Sequence, residues 1–286
     1  VTDSASRSMV GAPFTDNGGF ADVGSVVFFG DAIANFSHYN LSSVANANNV
    51  NAQQGYSVAI EGANAIAGRP SQTVSSEILA GQVNTFFFNA GWATNTINLT
   101  QTGAGNGYYF GQSVDVSGLV AVVGAPGSRE DALNVPPGAV RAGIVETFEK
   151  PGISWAKDID GYVRATFDQP NTATNQFFGD SLDMTNTWLA VGVVGDGQAG
   201  VDAGAVYMYR NISGVWTPHS KLTALYGRAG DSFGVSVAIS GTRLIVGAAG
   251  FDGFPTTAAN SGVFYAYEFD GTHWVQKAEI TSPNPI

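Results

Sequence analysis

Three histidines and a scattered set of acids are the side chains of this sequence with most potential for catalysis. His38, His219 and His273 lie far apart, and no two share a local motif, whereas a metal site or a histidine-based triad needs such groups to converge. The chain has no cysteine, which excludes thiolate ligands and thiol nucleophiles. It also lacks P-loop, H-E-x-x-H and G-x-S-x-G motifs. We therefore expect a protein that is not an enzyme, with solvent-exposed histidines and no metal site.

A second set of polar side chains suits the recognition of a ligand. Variable loops, at residues 13–24, 69–81, 126–143, 194–204 and 249–262, separate apolar segments that resemble one another. Binding residues concentrate on variable loops that a rigid scaffold carries. We predict the following ligand-binding residues: Asp16, Arg129, Glu130, Asp131, Asp196, Asp252 and Phe254. Ordinary loop polarity is the simpler interpretation of the same residues.

The charge balance narrows the classes of partner. The chain carries 23 acids against 12 bases, a formal net charge of -11, and no basic cluster that could neutralise a phosphate backbone. Binding to nucleic acid is therefore excluded, and an anionic membrane surface is disfavoured. No apolar run is long enough to cross a bilayer. Sequons for N-glycosylation occur at Asn35, Asn40, Asn98 and Asn211, although their number is close to what chance predicts.

Internal repetition predicts the elements that must position these residues. The segment FGQSVDVSGLVAVVGAP begins at Phe110 and recurs from Phe178 and Phe233, with degenerate copies near Gly55 and at the start of the chain. Corresponding positions lie 57, 56, 68 and 55 residues apart, at Val1, Val58, Val114, Leu182 and Val237. This spacing is the length of one four-stranded propeller blade. We predict one all-β domain, 1–286, with repeats at 1–50, 51–106, 107–174, 175–229 and 230–286.

Each repeat predicts the same four strands. An alternating first strand, a short turn and a continuously apolar, interior second strand come before the variable loop. A third strand with aromatics at every second position follows, and then a fourth strand that begins with an aromatic residue. These aromatics, which we expect to pack between blades, are Phe36, Trp92, Trp155, Trp216 and Trp274. Asp270-Gly271 predicts a two-residue hairpin, and residues 157–167 predict an extra hairpin around Asp160-Gly161.

The motifs FG-x-S-V at Phe110 and Phe233, VGAP at Val10 and Val123, and G-x-V-Y-x-Y at Gly204 resemble the FG-GAP repeat. The resemblance implies a β-propeller similar to the integrin α-subunit head, in which seven blades are usual. The family's calcium loop lies between the first and second strands, and that connection is too short here to coordinate calcium. The resemblance therefore implies the calcium-loop-free, secreted or surface branch, without a cofactor. The closest calcium-loop look-alikes are Asp196 to Asp202 and Asp158 to Asp160.

The resemblance implies an extracellular or cell-surface adhesion module that binds protein or glycan through the loop face of the propeller. The first alternative is a structural subunit of an extracellular filament, sheath or virion, assembled through propeller faces and edge strands. The second is an accessory domain of a larger hydrolase. Five repeats are compatible with a piece of a longer propeller, with a five-bladed ring, or with an open array that a neighbour completes. We expect the first of these arrangements.

Overall fold

The computed structural model describes residues 7–16, 19–29, 38–42, 50–88, 92–101, 105–128, 142–150, 163–168, 176–252 and 261–281. Every regular element in these stretches is a β-strand, and neighbouring strands pair antiparallel. The all-β prediction is confirmed for this part of the chain, where no helix long and apolar enough to cross a membrane was found. The chain divides into two compact units, Val1–Thr172 and Ala173–Ile286, beside the predicted repeat boundary at residue 174.

The first unit contains three sheets whose strands are ordered as in the chain. Sheet one is formed by β1 (Ser8–Ala12), β2 (Ser25–Phe29) and β3 (His38–Ser42). Sheet two is formed by β4 (Val58–Glu61), β5 (Asn64–Arg69), β6 (Gln82–Phe88) and β7 (Trp92–Leu99). Sheet three is formed by β8 (Ser113–Ser117), β9 (Val120–Ala125), β10 (Ile144–Glu149) and β11 (Val163–Asp168).

The second unit contains two sheets of the same topology. Sheet four is formed by β12 (Phe178–Met184), β13 (Trp188–Val193), β14 (Ala205–Ile212) and β15 (Val215–Leu222). Sheet five is formed by β16 (Phe233–Ser240), β17 (Arg243–Ala248), β18 (Val263–Phe269) and β19 (Trp274–Thr281). Repeated four-stranded antiparallel sheets are the structural unit of a propeller blade. In sheet one three strands are described.

Strand β5 shows why the second strand of a repeat is apolar throughout. Its side chains are buried along the whole strand. Ala65 and Ala67 join a core with Met9 and Phe28 of sheet one, whereas Ile66 joins a separate core with residues of sheet three. A strand that contacts other sheets on both faces has no polar side, as the sequence predicts.

Two motif residues allow adjacent sheets to approach closely. A Cβ on Gly68 of β5 would overlap the backbone carbonyl oxygen of Gly111, so only glycine fits at this position. The Ser57 hydroxyl donates a hydrogen bond of 2.8 Å to the same carbonyl oxygen. The second unit repeats this arrangement with Gly192, Gly234 and Ser181, whose hydrogen bond is 2.7 Å long. The FG, GAP and serine positions thus form one contact between successive repeats.

The fourth strand of sheet three differs from the prediction. Residues 163–167, which the sequence predicts as part of an extra hairpin, belong to β11, and this strand pairs directly with β10, where Val145 lies opposite Phe167. The alternating sequence Val-x-Ala-x-Phe has the period of a strand. The assignment of the fourth strand to the segment beginning at Trp155 is therefore wrong. Trp155 itself, Asp158, Asp160 and Phe36 lie outside the described residues.

The turn between β18 and β19 is also longer than predicted. It spans residues 270–273, because Phe269 pairs with Trp274, so the predicted two-residue hairpin is wrong. Asp270 Oδ1 accepts hydrogen bonds from the backbone N–H of His273 (2.7 Å) and Thr272 (2.8 Å). These bonds stabilise the wider turn, and they lower the pKa of the exposed Asp270 carboxyl group.

Candidate functional site

A cleft of about 480 Å³ lies in the second unit, beside the segment that connects sheets four and five. Its lining consists of Tyr226, Arg228, Phe251, Tyr265 and Glu279. Tyr226 and Arg228 belong to the connecting residues 223–232, which we call the crossing segment. Phe251 follows β17, and the other two belong to β18 and β19. The cleft thus lies beside the segment between two sheets and beside the start of the variable loop after β17.

Backbone hydrogen bonds fix the crossing segment against the 194–204 loop of sheet four. The N–H groups of Gly230, Ser232 and Phe233 donate to the carbonyl groups of Val201, Asp202 and Ala203, over 2.9, 3.1 and 2.9 Å. The equivalent bonds in the first unit join Phe110 to Ala80 and Gln54 to Val23. The crossing segment is therefore part of a repeated scaffold and not a free loop, which favours a preformed site.

Asp231 connects the crossing segment to the loop that follows β17. Its Oδ2 accepts a 2.7 Å hydrogen bond from the backbone N–H of Arg228, and its carbonyl oxygen accepts one of 3.1 Å from Gly250. The residue is buried. Burial raises the pKa of the Asp231 carboxyl group, the hydrogen bond and the charge of Arg228 lower it, and the charge of Asp252 raises it further. The net result is a raised pKa.

Replacing Asp231 by asparagine should stabilise the protein at neutral pH. A raised pKa means that folded Asp231 keeps its proton to a higher pH than unfolded Asp231, so its contribution is complete below the unfolded pKa and is lost as pH rises through the folded pKa. Asparagine still accepts the Arg228 N–H bond. Urea unfolding at several pH values should show the advantage of Asp231→Asn growing from acidic to neutral pH. An advantage that is constant with pH would contradict this linkage.

The floor of the cleft is the ring of Tyr265. Its centroid lies 5.3 Å from that of Phe233. Burial, followed by the nearby charges of Glu279 and Asp231, raises the pKa of Tyr265, so this phenol stays neutral at physiological pH. Tyr226, 77% exposed, adds a second aromatic surface at the rim. The site combines apolar rings with Arg228 and Glu279, which can donate and accept hydrogen bonds.

The predicted ligand-binding residues do not form one cluster. Asp252 is exposed and lies close enough to Asp231 to influence its pKa, so it belongs to the surroundings of the cleft. Asp16 is exposed in the first unit, and its Oδ1 accepts the Asp22 N–H at 3.1 Å. Arg129, Glu130, Asp131 and Phe254 lie outside the described residues. For all of these the binding role stays a prediction.

Asp196 has a structural explanation. It is 3% exposed, and its carboxylate pairs with Lys221 Nζ at 2.7 Å. It also accepts hydrogen bonds from the Tyr207 hydroxyl (3.2 Å) and the Gln198 N–H (3.1 Å). A carboxylate with these partners holds the 194–204 loop against β14 and β15. It does not present a free acid to a ligand.

Two of the four sequon asparagines are described with their side chains. Asn211 lies at the β14–β15 turn, where its Oδ1 accepts the Gly214 N–H at 2.8 Å. Asn98 lies in β7, and its Oδ1 accepts a hydrogen bond of 2.6 Å from Asn84 Nδ2. The backbone of Asn40 is part of β3, and Asn35 lies outside the described residues. Glycosylation of these sites stays a prediction.

The histidines differ from one another in exposure. His273 is exposed, as predicted. His219 is half-buried, and its ring lies 4.9 Å from that of Trp188, so the prediction of an exposed side chain is wrong for this residue. Burial first, then the charges of Arg210 and His273, lower the pKa of His219. Among the described side chains, no group of three or more His, Asp or Glu residues is placed to hold a metal ion.

Residues 216–267 match the family model of the FG-GAP repeat. This segment is therefore similar to an FG-GAP repeat. It extends from β15 through the crossing segment, β16 and β17 into β18. The FG-GAP repeat therefore contributes every residue of the cleft lining except Glu279.

Two solved structures are similar to most of the chain. The N-terminal domain of Nup159 matches with 9% identity and a TM-score of 0.42, over 88% of this chain and 56% of that one. The acylaminoacyl peptidase of Pyrococcus horikoshii matches with 12% identity and a TM-score of 0.46, over 88% of this chain and 34% of that one. The chain thus spans about half of the first structure and a third of the second. A search of the curated proteins found no match.

The residues of the cleft were not among the predicted ligand-binding residues. Tyr226 and Arg228 lie in the sequence LYGRAGD, immediately before the FG motif of the repeat. An exposed aromatic and an arginine at a blade crossing could have identified them. Tyr265 and Glu279 could not be found in this way, because they belong to strands and face the cleft only through the packing of sheet five.

Proposed function

We propose that the chain is a non-enzymatic recognition module of the propeller type, which binds a protein or glycan ligand at the Tyr226–Arg228 cleft. The observation that supports this proposal is a preformed concave site that combines aromatic and charged side chains on a rigid crossing. Aromatic rings supply apolar contact area at little entropic cost, and arginine and glutamate supply directional hydrogen bonds. Such a combination suits the polar and apolar faces of a sugar or of a peptide.

We further propose an extracellular or cell-surface location, since FG-GAP repeats are typical of extracellular proteins. The acidic net charge of -11 supports a neutral or cationic partner in preference to nucleic acid. A non-enzymatic role is supported by the position of the described histidine–hydroxyl pair. His219 Nδ1 and Ser220 Oγ lie 3.0 Å apart on β15, and neither residue lines the cleft.

Replacing Tyr226 by alanine should weaken ligand binding roughly tenfold, which corresponds to about 1.4 kcal/mol, because the exposed ring supplies a large part of the apolar contact. The side chain is 77% exposed, so the fold should be retained. The assay is a panel of glycans and extracellular matrix proteins, followed by calorimetric titration of the tightest binder.

The matched control is Val215→Ala. Val215 is exposed in the same unit, at the start of β15 and outside the cleft lining, so its truncation should leave the affinity unchanged. The proposal fails if no member of the panel binds the folded chain. It also fails if Tyr226→Ala binds as tightly as the wild type.

A second candidate function, a structural subunit of an extracellular assembly, is favoured by a separate observation. Sheets one and five each expose apolar side chains, Val10 on the first and Phe264 on the second, at positions that other sheets bury. Unpartnered sheet surfaces of this kind favour association between chains.

A further inference from the structure

Strand β17 departs from the burial pattern of the equivalent strands. In β5 and β13 every side chain is buried, whereas β17 exposes Arg243 and Ile245. The sequence of β17 is nevertheless as apolar as the FG-GAP pattern requires. One face of sheet five therefore has the composition of an interior surface while being open to solvent.

Strand register shows which residues of sheet four are equivalent to the residues on this open face of sheet five. Gly192 pairs with Val206 in sheet four, and Gly247 pairs with Phe264 in sheet five, so Val206 and Phe264 are equivalent. The same alignment makes Ala190 equivalent to Ile245 and Leu222 equivalent to Ile280.

The equivalent residues of sheet four lie beneath sheet five. Ala190, Val206 and Leu222 are buried in one core with residues of β16, β17 and β18. Phe264 and Ile280, by contrast, are each 53% exposed. They line an open groove of about 480 Å³, which Gly247 also lines. We call the surface formed by Ile245, Phe264 and Ile280 the trailing face.

Sheet one exposes its other face, the one that in sheet five packs against sheet four. Val10 pairs with Val27 in the register that joins Val246 to Tyr265 in sheet five. Val246 and Tyr265 are buried against sheet four, whereas Val10 is 51% exposed. We call the surface formed by Val10, Val27 and the half-buried Phe29 the leading face.

We propose that the trailing face of one molecule binds the leading face of a second copy of this chain. The contact would resemble, through the second and third strands of each sheet, the one by which sheet five covers sheet four within the second unit. Both surfaces carry apolar side chains on these strands, as the two sides of the internal contact do. A second copy supplies the other face, and the two sheets can align as sheets four and five do. This inference deepens the second candidate function and is independent of ligand binding at the cleft.

The proposed contact is heterologous, because two different faces meet. Each molecule that joins leaves one leading and one trailing face open, so association continues until a ring closes or a linear assembly forms. Burial of Phe264, Ile280 and Val10 removes apolar area that monomeric proteins rarely leave exposed. We therefore expect association to increase with protein concentration and to persist in high salt, since apolar burial does not depend on charge.

The test is the mass of the 286-residue chain in solution, measured by light scattering and sedimentation from micromolar to near-millimolar concentration. The expected result is a series of multiples of 29.6 kDa. Phe264→Asp on the trailing face and Val10→Asp on the leading face should each weaken association about a hundredfold or more, because a desolvated carboxylate would lie in an apolar contact. Far-UV circular dichroism and thermal melts verify that both variants fold.

Mixing the two variants tests the geometry. Phe264→Asp keeps an intact leading face, and Val10→Asp keeps an intact trailing face, so an equimolar mixture should form a dimer that grows no further. Val201→Asp provides the control. Val201 is 74% exposed in the 194–204 loop and belongs to neither face, so this variant should associate as the wild type does.

Three results would overturn the proposal. The first is a wild-type chain that remains monomeric at every concentration. The second is association that Phe264→Asp leaves unchanged, and the third is a mixture of the two variants that stays monomeric. Because Tyr226 lies outside both faces, any of these results would leave the cleft proposal to be judged by its own titration.

Discussion

Gly192→Ala should lower the free energy of unfolding by about 3 kcal/mol or more, toward the upper end of what overpacking costs. The added Cβ would overlap the carbonyl oxygen of Gly234 and the hydroxyl oxygen of Ser181. The hydroxyl group can rotate, but the carbonyl belongs to the backbone where β16 begins and cannot move without separating sheets four and five. Urea unfolding at fixed pH measures the loss.

Gly247→Ala is the matched control, at the same position of the next repeat. Its Cβ would meet the Ser236 hydroxyl oxygen closely, and the next neighbour, an atom of the Phe264 ring, lies 3.6 Å away. Ser236 is exposed, so its side chain can rotate away, and we expect a loss of about 1 kcal/mol or less. Both variants are compared at low protein concentration. Equal losses would mean that the close approach between sheets does not determine the requirement for glycine.

Trp188→Ala should lower the free energy of unfolding by about 3–5 kcal/mol, the usual range for truncating a buried tryptophan. Trp188 begins β13 and is buried. Its ring lies 4.7 Å from that of Phe269 and 5.1 Å from that of Trp274, both in sheet five. The guanidinium of Arg210 lies 5.5 Å from the ring centroid. Truncation would leave a cavity between two sheets and remove these aromatic contacts.

The same substitution should change the titration of His219, which packs on Trp188. Burial lowers the pKa of His219 in the folded protein, so the imidazole contributes stability at neutral pH that is lost as pH falls through the folded pKa. Exposing the ring should raise that pKa toward its ordinary value, and NMR titration of the imidazole protons measures the change. An unchanged titration in a folded Trp188→Ala protein would contradict the assignment of burial as the main cause.

Arg243→Ala is the control for the stability loss. Arg243 begins β17 as Trp188 begins β13, and both pair with the residue at the same position of the third strand, Glu268 and Arg210 respectively. Arg243 is exposed, so its truncation should change the stability by no more than about 0.5 kcal/mol. Comparing the two variants shows whether the stability loss comes from the position in the repeat or from burial beneath a neighbouring sheet.

Much of the fold follows from local patterns in the sequence. Alternating third strands, continuously apolar second strands and short first turns predict the antiparallel sheets, and β5 and β13 confirm the interior second strand. The glycines of the FG and GAP motifs are explained equally well, since Gly68 and Gly192 each oppose a backbone carbonyl of the next repeat. These features are predictable because strand period and steric exclusion are local properties.

The failures of prediction have two causes, a local side-chain hydrogen bond in one case and groups far apart in the chain in the others. Asp270-Gly271 suits a two-residue turn, but the Asp270 carboxylate binds two N–H groups and widens the turn. Asp196 has the composition of an exposed loop acid, but Lys221, 25 residues away, lies at the right distance to pair with it. His219 has no local reason to be buried, and Trp188 covers it.

The sequence by itself determined that this chain is an all-β repeat protein, with an apolar second strand in each repeat and with variable loops between strands. Those properties depend on residues close together in the chain. The tertiary structure decided which residues line the cleft, which acid forms a buried ion pair, and which two of five similar sheets leave an apolar face open. Equivalent residues of similar repeats are buried only where another sheet packs on them. That packing joins residues far apart in the chain, so the local sequence does not predict it.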